Sequence, residues 1–488
     1  EAYWDLGDAH AQLHEYSDAK KNLFQALELD QKFNKNNNNY KILRAIGSYY
    51  MRVRDYNNAV VFFEKSLAIK QDYSDSYSNL LFTYNYLEQS SKDKYIKTLN
   101  NFASNIQKFN LDSSVKIITN SQEKLNIGFV SGDFSDHPVG YFLEKTLVEL
   151  EDKVNLFAYS TSFSETELTK IIKKYFLKCD TIAGKRSEDI INLIRNDKID
   201  ILFDLSGHTK NNILPLFENR LAPIQVAWIG YLASTGLSNM DYLISDRIIC
   251  SEGIEEFFTE NLWKMPNIWN CYSPPNFMTE IKKIAPFERR GFVTFGSFNN
   301  YLKYNNNLIK VWSNILNISN NSKILLIYNG IDSPEIKQSI INDFLKFGVS
   351  EDKIILKGFM DRKDLLEMYN DVDIALDPFP YNGGSTSFEA SWMGCPLLTK
   401  KGKTFLSRCG ESININLNMR EMIAENEQDY INKAVQIAND KEILLNLRKN
   451  LLLNCRQSNL FNTKLFSENF YQMLLDMKKI YLEKHSIN

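Results

Sequence analysis

Cysteine is scarce in this chain and never paired in sequence. Six cysteines stand at 179, 250, 271, 395, 409 and 455, and no two form a Cys-x-x-Cys spacing. That excludes the usual zinc and dithiol redox motifs and leaves reduced thiols packed as small apolar residues. Such usage points to a reducing, cytoplasmic setting. No apolar run reaches the roughly 18–20 residues that a membrane-spanning helix needs, so no membrane association is expected. No signal peptide opens the chain. Residue 1 is Glu rather than Met, which leaves open a targeting signal or further sequence upstream. Charge of one sign is also lacking. The formal net charge is -3, too small a field to point to nucleic acid or an anionic membrane. The full Gly-x-x-x-x-Gly-Lys-[Ser/Thr] signature does not occur, which disfavours a P-loop ATPase. No Gly-x-Gly-x-x-Gly follows a first strand, which disfavours a dehydrogenase.

What remains is an ordinary globular composition, 44 % hydrophobic and 24 % charged over 488 residues, enough chain for about three domains. The first of these repeats itself. Gly7, Tyr16, Ala19 and Leu27 match Gly47, Tyr56, Ala59 and Leu67 at a constant offset of 40, and Ala26 matches Ser66 in the same register. Each unit reads as two helices joined at Glu15-Tyr16 or Asp55-Tyr56, with small residues where helices cross closely. The pattern resembles the tetratricopeptide repeat, whose period is about 34 residues. The polar insertion Asn34–Asn39 accounts for the longer spacing. A third unit begins at Tyr77 and lacks a clear second half. Two and a half units are marginal for a free-standing solenoid, so further repeats upstream or packing on the rest of the chain are expected.

From Leu125 the period changes to apolar strands alternating with helices. Strands are predicted at Leu125–Ser131, Val154–Tyr159, Ile199–Phe203, Ile224–Trp228 and Tyr242–Ser245, with helices at Val139–Glu151, Glu165–Lys178 and Ser187–Asp197. A second set of strands is predicted at Val293–Ser297, Ile324–Ile327, Lys353–Leu356, Ile374–Leu376 and Pro396–Thr399. Alternation of this kind argues for two doubly wound parallel sheets, which bind ligands beyond the C-terminal ends of their strands.

Polar residues gather at those ends. Ser131–Pro138 and Asp204–Thr209 follow strands of the first set, and bring two of the five histidines, His137 and His208, to places where chemistry is expected. Imidazole titrates near neutrality and suits proton transfer or a bond to a sugar hydroxyl, although either ring could equally cap a helix or satisfy a loop. Ala222–Gly236 ends in a small-residue turn that permits close backbone approach. In the second set, Phe298–Lys303 places a lysine where it can meet a pyrophosphate. Asp377–Glu389 is the most informative stretch. Prolines stop a strand, Asn382, Gly383 and Gly384 free the backbone, and Ser385 and Thr386 open a helix. Unpaired N–H groups and the positive helix end then face an anion. Glu389, one turn in, can accept bonds from ribose hydroxyls. Gly402–Arg408 is a further polar loop, whose Arg408 suits either a phosphate or a neighbouring carboxylate.

The order of these motifs, Asp133–Pro138, Asp204–Thr209, Ala222–Gly236, Phe298–Lys303, Asp377–Glu389 and Gly402–Arg408, resembles the O-linked N-acetylglucosamine transferase family in its bacterial, Spindly-like branch, over essentially the whole chain. The resemblance implies a GT-B fold, two Rossmann-like domains facing across a cleft. It implies repeats over 1–120, an acceptor-side half over 121–285, a nucleotide-sugar half over 286–460, and a C-terminal helix over 461–488 packing back across the halves. It implies an inverting, metal-independent transfer of N-acetylglucosamine from UDP-GlcNAc to Ser or Thr of proteins. It implies no cofactor beyond the nucleotide sugar, protein acceptors met through the arm, and no nucleic-acid partner; homo-oligomerisation stays open.

By matching position, His137 lies beside the donor sugar and acceptor, with Asp204 and His208 as second choices for the catalytic base. Lys303 holds the diphosphate, with Asn300 nearby. Ser385 and Thr386 bind phosphate, Glu389 takes the ribose, and Arg362 stands where animal enzymes carry a nucleoside-contacting lysine. Three positions depart from the family pattern. Gly384 replaces a histidine, Leu365 replaces a base-contacting histidine, and Leu232-Ala233 replaces a Pro-Gly pair. The alternatives are therefore a GDP-fucose-dependent protein O-fucosyltransferase of the Spindly type, a transferase acting on a glycan or lipid, or a repeat scaffold without activity.

Overall fold

The computed structural model describes residues 2–33, 39–88, 92–106, 124–275, 277 and 279–485. Most of the Asn-rich insertion and the expected boundary at 120/121 lie outside the described residues. Two compact units emerge, one of Glu1–Ser90 with Pro274–Gln457, the other of Ser91–Ser273 with Ser458–Asn488.

The repeats form antiparallel helix pairs, Ala2–Gln12 with Tyr16–Phe33 and Asn39–Arg52 with Tyr56–Ile69, followed by Ser74–Tyr84. The small residues are where the register requires them. A Cβ on Gly7 would stand 2.7 Å from Leu23 Cγ, and one on Gly47 would stand 2.6 Å from the Phe63 ring. Leu23 and Phe63 are themselves related by the 40-residue offset, so each pair closes around one glycine and one large apolar side chain. The turns between helices also repeat, with His14 and Arg54 both at φ 63°.

In the same unit lies a six-stranded parallel sheet. Counting strands along the whole chain, its members are β8 (Val293–Ser297), β9 (Ser322–Ile327), β10 (Ile354–Lys357), β11 (Ile374–Leu376), β12 (Leu397–Lys400) and β13 (Ile423–Ala424). Their order is β10-β9-β8-β11-β12-β13. The other unit holds a seven-stranded parallel sheet of order β3-β2-β1-β4-β5-β6-β7. Its strands are β1 (Asn126–Ser131), β2 (Asn155–Ser160), β3 (Lys178–Thr181), β4 (Ile201–Asp204), β5 (Ile224–Ala227), β6 (Tyr242–Asp246) and β7 (Asn261–Met265). The central strands β1, β4, β5 and β8 are buried throughout, as befits parallel strands covered on both faces.

Three edge strands depart from the expected list. β3 was not expected as a strand, and the helix expected up to its first residue, Lys178, stops at Lys173. β3 and β7 are half exposed and polar, so they carry no continuous apolar run, and β13 is only two residues long.

Two flanking helices join the unit of the seven-stranded sheet. Lys92–Asn105 belongs with the first α/β unit rather than the arm. Its Phe102 ring packs 4.9 Å from His208, and its Lys92 pairs with Glu256. The C-terminal helix Thr463–Lys484 belongs to that unit as well. Phe470 lies 4.8 Å from the Trp228 ring and 5.5 Å from Phe203, and Lys478 pairs with the fully buried Asp200. Removing one member of a buried ion pair strands the other charge. Lys478→Ala is therefore expected to destabilise this unit by about 3–5 kcal/mol, read as a lower urea midpoint and faster amide exchange in Thr463–Lys484.

Candidate functional site

The second sheet builds its site at the C-terminal ends of β8 and β11. Phe298-Asn299-Asn300 leaves β8 and enters a single 3₁₀ turn, Tyr301–Lys303. Asn300 caps that turn, its side chain accepting from the Leu302 N–H at 2.9 Å. The turn delivers Lys303 to the loop after β11. Its ammonium donates to Asn299 Oδ1 at 3.2 Å and to the Asn382 carbonyl at 2.8 Å, and lies 4.5 Å from the centre of the Tyr381 ring. Two of its three N–H donors are thus used, leaving one for a ligand. Burial pulls the Lys303 pKa down to about 8, against the opposing pull of Asp377.

Asn299 also ties the lysine to the helix start, because Thr386 Oγ1 donates to the same Oδ1 at 3.0 Å. The helix Ser385–Trp392 begins beyond Gly384, and its leading N–H groups have no carbonyl one turn earlier within the helix. Beneath the loop lies Asp377. Its carboxylate accepts the Gly383 N–H at 2.6 Å, Ser387 Oγ at 3.3 Å and Thr399 Oγ1 at 2.7 Å. Burial raises the Asp377 pKa to about 6, while those donors and Lys303 act against the rise. Asn382 is spent on the loop itself, donating to the Pro378 carbonyl at 2.8 Å and accepting from Gly410 N–H at 3.3 Å. Glu389 is 5 % exposed and its Oε1 stands 3.7 Å from Arg362 Nε. Arg408 pairs with Glu411 at 3.0 Å, the carboxylate alternative of its two readings.

Lys303, Thr386, Gly383 and Gly384 are therefore brought together in one unit, as are Glu389 and Arg362. Asn299 takes the bridging place, and Asn300 shapes the turn. Asn299 and Asp377 were given no role from sequence. Nothing in Asn299-Asn300 says which amide turns inward, and Asp377 was legible only as the residue ending a strand.

The first sheet presents a different environment. His137 caps the helix Pro138–Leu150, its Nδ1 accepting from the Val139 N–H at 3.4 Å, with Asp133 Oδ2 3.7 Å away. Its side chain is 46 % exposed. Desolvation lowers its pKa from the ordinary value, and Asp133 opposes this. Nδ1 as acceptor fixes the neutral ring with its proton on Nε2. Asp204 and His208 are placed otherwise than expected of catalytic groups. Asp204 is 1 % exposed and accepts the N–H groups of Ser206 at 3.2 Å and Gly207 at 2.7 Å. His208 is 2 % exposed, bonded to the Thr235 carbonyl at 3.0 Å and packed between Phe102 and Tyr231. Burial lowers its pKa to about 3, so it stays neutral. Both are bonded within the fold around the loop after β4.

The two glycines of the cradle differ sharply. A Cβ at Gly383 would meet Ser387 Oγ at 2.2 Å and Thr386 Oγ1 at 2.7 Å, whereas one at Gly384 meets nothing within 4 Å. Gly383→Ala is expected to cost about 1–3 kcal/mol by overpacking, and Gly384→Ala to leave the melting temperature within error of the parent. Thermal denaturation of the two variants side by side checks this.

Comparison with known proteins agrees with this architecture. The family model described as "Glycosyl transferase family 41" matches residues 100–285 and 288–470. A protein of Solanum lycopersicum named "Probable UDP-N-acetylglucosamine--peptide N-acetylglucosaminyltransferase SPINDLY" is 31 % identical over 428 residues, 86 % of this chain and 45 % of its own length. The protein of that name from Arabidopsis thaliana is 30 % identical over 390 residues, 78 % of this chain and 42 % of its own length. The chain thus spans less than half the length of these curated relatives. Among solved structures, a mutant O-GlcNAc transferase of Thermobaculum terrenum superposes with a TM-score of 0.89 at 26 % identity, over 99 % of this chain and 91 % of that one. Two Rossmann-like parallel sheets preceded by helical pairs make the fold GT-B, and the chain belongs to glycosyl transferase family 41.

Proposed function

We propose that this chain transfers N-acetylglucosamine from UDP-GlcNAc to Ser or Thr hydroxyls of proteins, with inversion at the sugar. The observation that carries the reading is the joining of Lys303, Asn299 and Thr386 at the start of the helix Ser385–Trp392. One ammonium proton and the first amides of a helix lie there, with the Thr386 hydroxyl proton spent on Asn299 to tie the two together, a set suited to a diphosphate. The names of the relatives, a UDP-N-acetylglucosamine–peptide transferase and an O-GlcNAc transferase, supply the nucleotide, the sugar and the polypeptide acceptor.

In this reading the leaving diphosphate gains negative charge as the glycosidic bond breaks. Lys303 and the helix end stabilise that charge without a metal ion. Glu389, held by Arg362, accepts from the ribose hydroxyls. His137 contributes an Nε2–H donor that orients the sugar or acceptor, since its other nitrogen is engaged by the Val139 amide. The helical arm presents protein acceptors.

A thermal-shift panel of UDP-GlcNAc, UDP, GDP-fucose and GDP tests the donor, because a bound ligand raises the melting temperature. A shift with UDP and UDP-GlcNAc is expected; a shift with GDP-fucose and GDP alone would move the assignment to fucosyl transfer. Lys303→Met is expected to lower turnover about 10²- to 10³-fold without unfolding the chain, and wild-type turnover in that variant would remove Lys303 from the mechanism. His137→Ala should lower turnover more than UDP affinity.

The pH dependence has a definite sign. Lys303 is charged below its free pKa of about 8, and a bound diphosphate favours the charged form. UDP affinity is therefore full below about 8 and falls as pH rises above it. Calorimetry across pH 7 to 10 on the parent and on Lys303→Met checks this, the variant losing that alkaline fall.

A further inference from the structure

The turn that carries Lys303 has little holding it from within. It is three residues long, and its local bonds are Lys303 N–H to the Asn300 carbonyl, Tyr304 N–H to the Tyr301 carbonyl, Asn305 N–H to the Lys303 carbonyl and the Asn300 cap on Leu302 N–H, all within six residues. The carbonyls on either side of the lysine, those of Leu302 and Tyr304, are taken instead by the helical arm, which belongs to the same compact unit. Tyr56 Oη donates to the Leu302 carbonyl, and Arg54 Nη1 donates to the Tyr304 carbonyl. The Arg54 guanidinium also lies 4.1 Å from the centre of the Tyr301 ring and pairs through Nη2 with Asp343.

A second line of contacts reaches the ammonium itself. The Tyr56 ring stacks on Tyr86 at 5.2 Å, and Tyr86 packs 5.1 Å from Tyr381, the ring against which Lys303 rests. The equivalent turn of the preceding repeat does not do this. There the His14 carbonyl accepts from Ser333 Oγ at 3.2 Å and Tyr16 N–H donates to Glu335 at 2.9 Å. Both of those partners belong to the start of the helix Pro334–Leu345, away from Lys303. The two turns share a backbone conformation and differ in what they grip.

We propose that the second repeat is a positioning element of the phosphate site, in which Arg54 and Tyr56 fix the turn bearing Lys303 while Tyr86 fixes the ring beneath its ammonium. This rests on the reading of Lys303 as a diphosphate-binding group. It gives the arm a role in donor binding in addition to any role in meeting acceptors. A charge-binding group must be held within about half an ångström to act in full, and a short 3₁₀ turn has too few bonds of its own to do so.

The test uses the full chain with Tyr56→Phe, Tyr86→Leu and Arg54→Lys, and with Glu64→Ala, an exposed arm residue, as control. The first readout needs no nucleotide. Competitive acetylation of Lys303 by acetic anhydride, followed by peptide mass spectrometry across pH, reports the titration of its amine. The groups acting on that amine are Asp377 and Cys409, with the Tyr381 ring against it and Arg54 on the turn beside it. In the parent the midpoint is expected near about 8. In the three variants it moves up toward the ordinary lysine value of about 10.4 as the turn loosens and water reaches the amine. The second readout is UDP affinity by calorimetry, expected to fall about fivefold to tenfold in Tyr56→Phe and Tyr86→Leu and not at all in Glu64→Ala. If the melting temperature falls in these variants while the Lys303 midpoint and UDP affinity stay at parental values, the arm only packs and the proposal is overturned. If the midpoint moves but the parent itself binds no UDP, positioning stands and the donor reading fails.

Discussion

A partly buried ammonium is the constraint around which the loops of the second α/β sheet are arranged. Removing Lys303 from water disfavours its charged form, and the depressed pKa records that cost. The protein offsets it with oriented oxygens and one buried carboxylate rather than a close ion pair. Asn299 and the Asn382 carbonyl touch the ammonium, and Asp377 acts on it through the field while its own oxygens are spent on Gly383, Ser387 and Thr399. Much of the surrounding sequence follows from this arrangement. Gly383 must lack a side chain because the Thr386 and Ser387 hydroxyls occupy its space. Gly410 must lack one because Asp377 Oδ2 and Thr399 Oγ1 would stand 2.3 and 2.1 Å from it. In the proposed reading an anion arriving at Lys303 would meet a proton donor already aimed, with the reorganisation completed during folding.

Legibility in the sequence followed burial. The central strands were readable as apolar runs because parallel strands are covered on both faces. The edge strands β3 and β7 were not, since Lys178-Cys179-Asp180-Thr181 and Asn261–Met265 carry polar residues that any surface segment carries. The turn from strand to helix at Asn382–Ser385 was readable because it combines a strand stop, two glycines and a helix start, each with its own backbone chemistry. Its supports were not. Asn299 and Asn300 are chemically identical, and only the turn decides that the first faces Lys303 and Thr386 while the second caps. The helix Lys92–Asn105 fell inside the 1–120 span assigned to the repeats. Its packing on His208 and beside Gly236 depends on contacts more than 100 residues away, which periodicity does not encode.

The histidines show how one residue type at equivalent strand ends acquires opposite properties. His137 stands at a helix start, with half of its ring in water and Asp133 nearby. His208 is enclosed by Phe102 and Tyr231 and held by the Thr235 carbonyl. Sequence position ranked them together because both follow a strand. Burial separates them, since an enclosed imidazole with a pKa of about 3 cannot collect a proton near neutrality. Asp204 separates from His137 for a related reason. Its two oxygens already accept backbone N–H groups of the loop they shape.

In the proposed transfer the first half contributes the imidazole of His137, whose Nδ1 accepts from the Val139 amide. A ring with Nδ1 engaged and Nε2 protonated is a donor and not a proton acceptor. Its natural partner is an oxygen of the sugar or of the acceptor before its proton has left. To act as the base, His137 would have to move its proton to Nδ1 and give up the bond that caps the helix Pro138–Leu150. That bond is long, at 3.4 Å, so the exchange is affordable, but it makes proton removal the secondary role of this ring and orientation the primary one. The proposed inverting transfer would then depend on holding three atoms in line, the acceptor oxygen, the anomeric carbon and the leaving oxygen. In that reading the charge that develops on the last of these is the charge that the Lys303 ammonium is placed to meet.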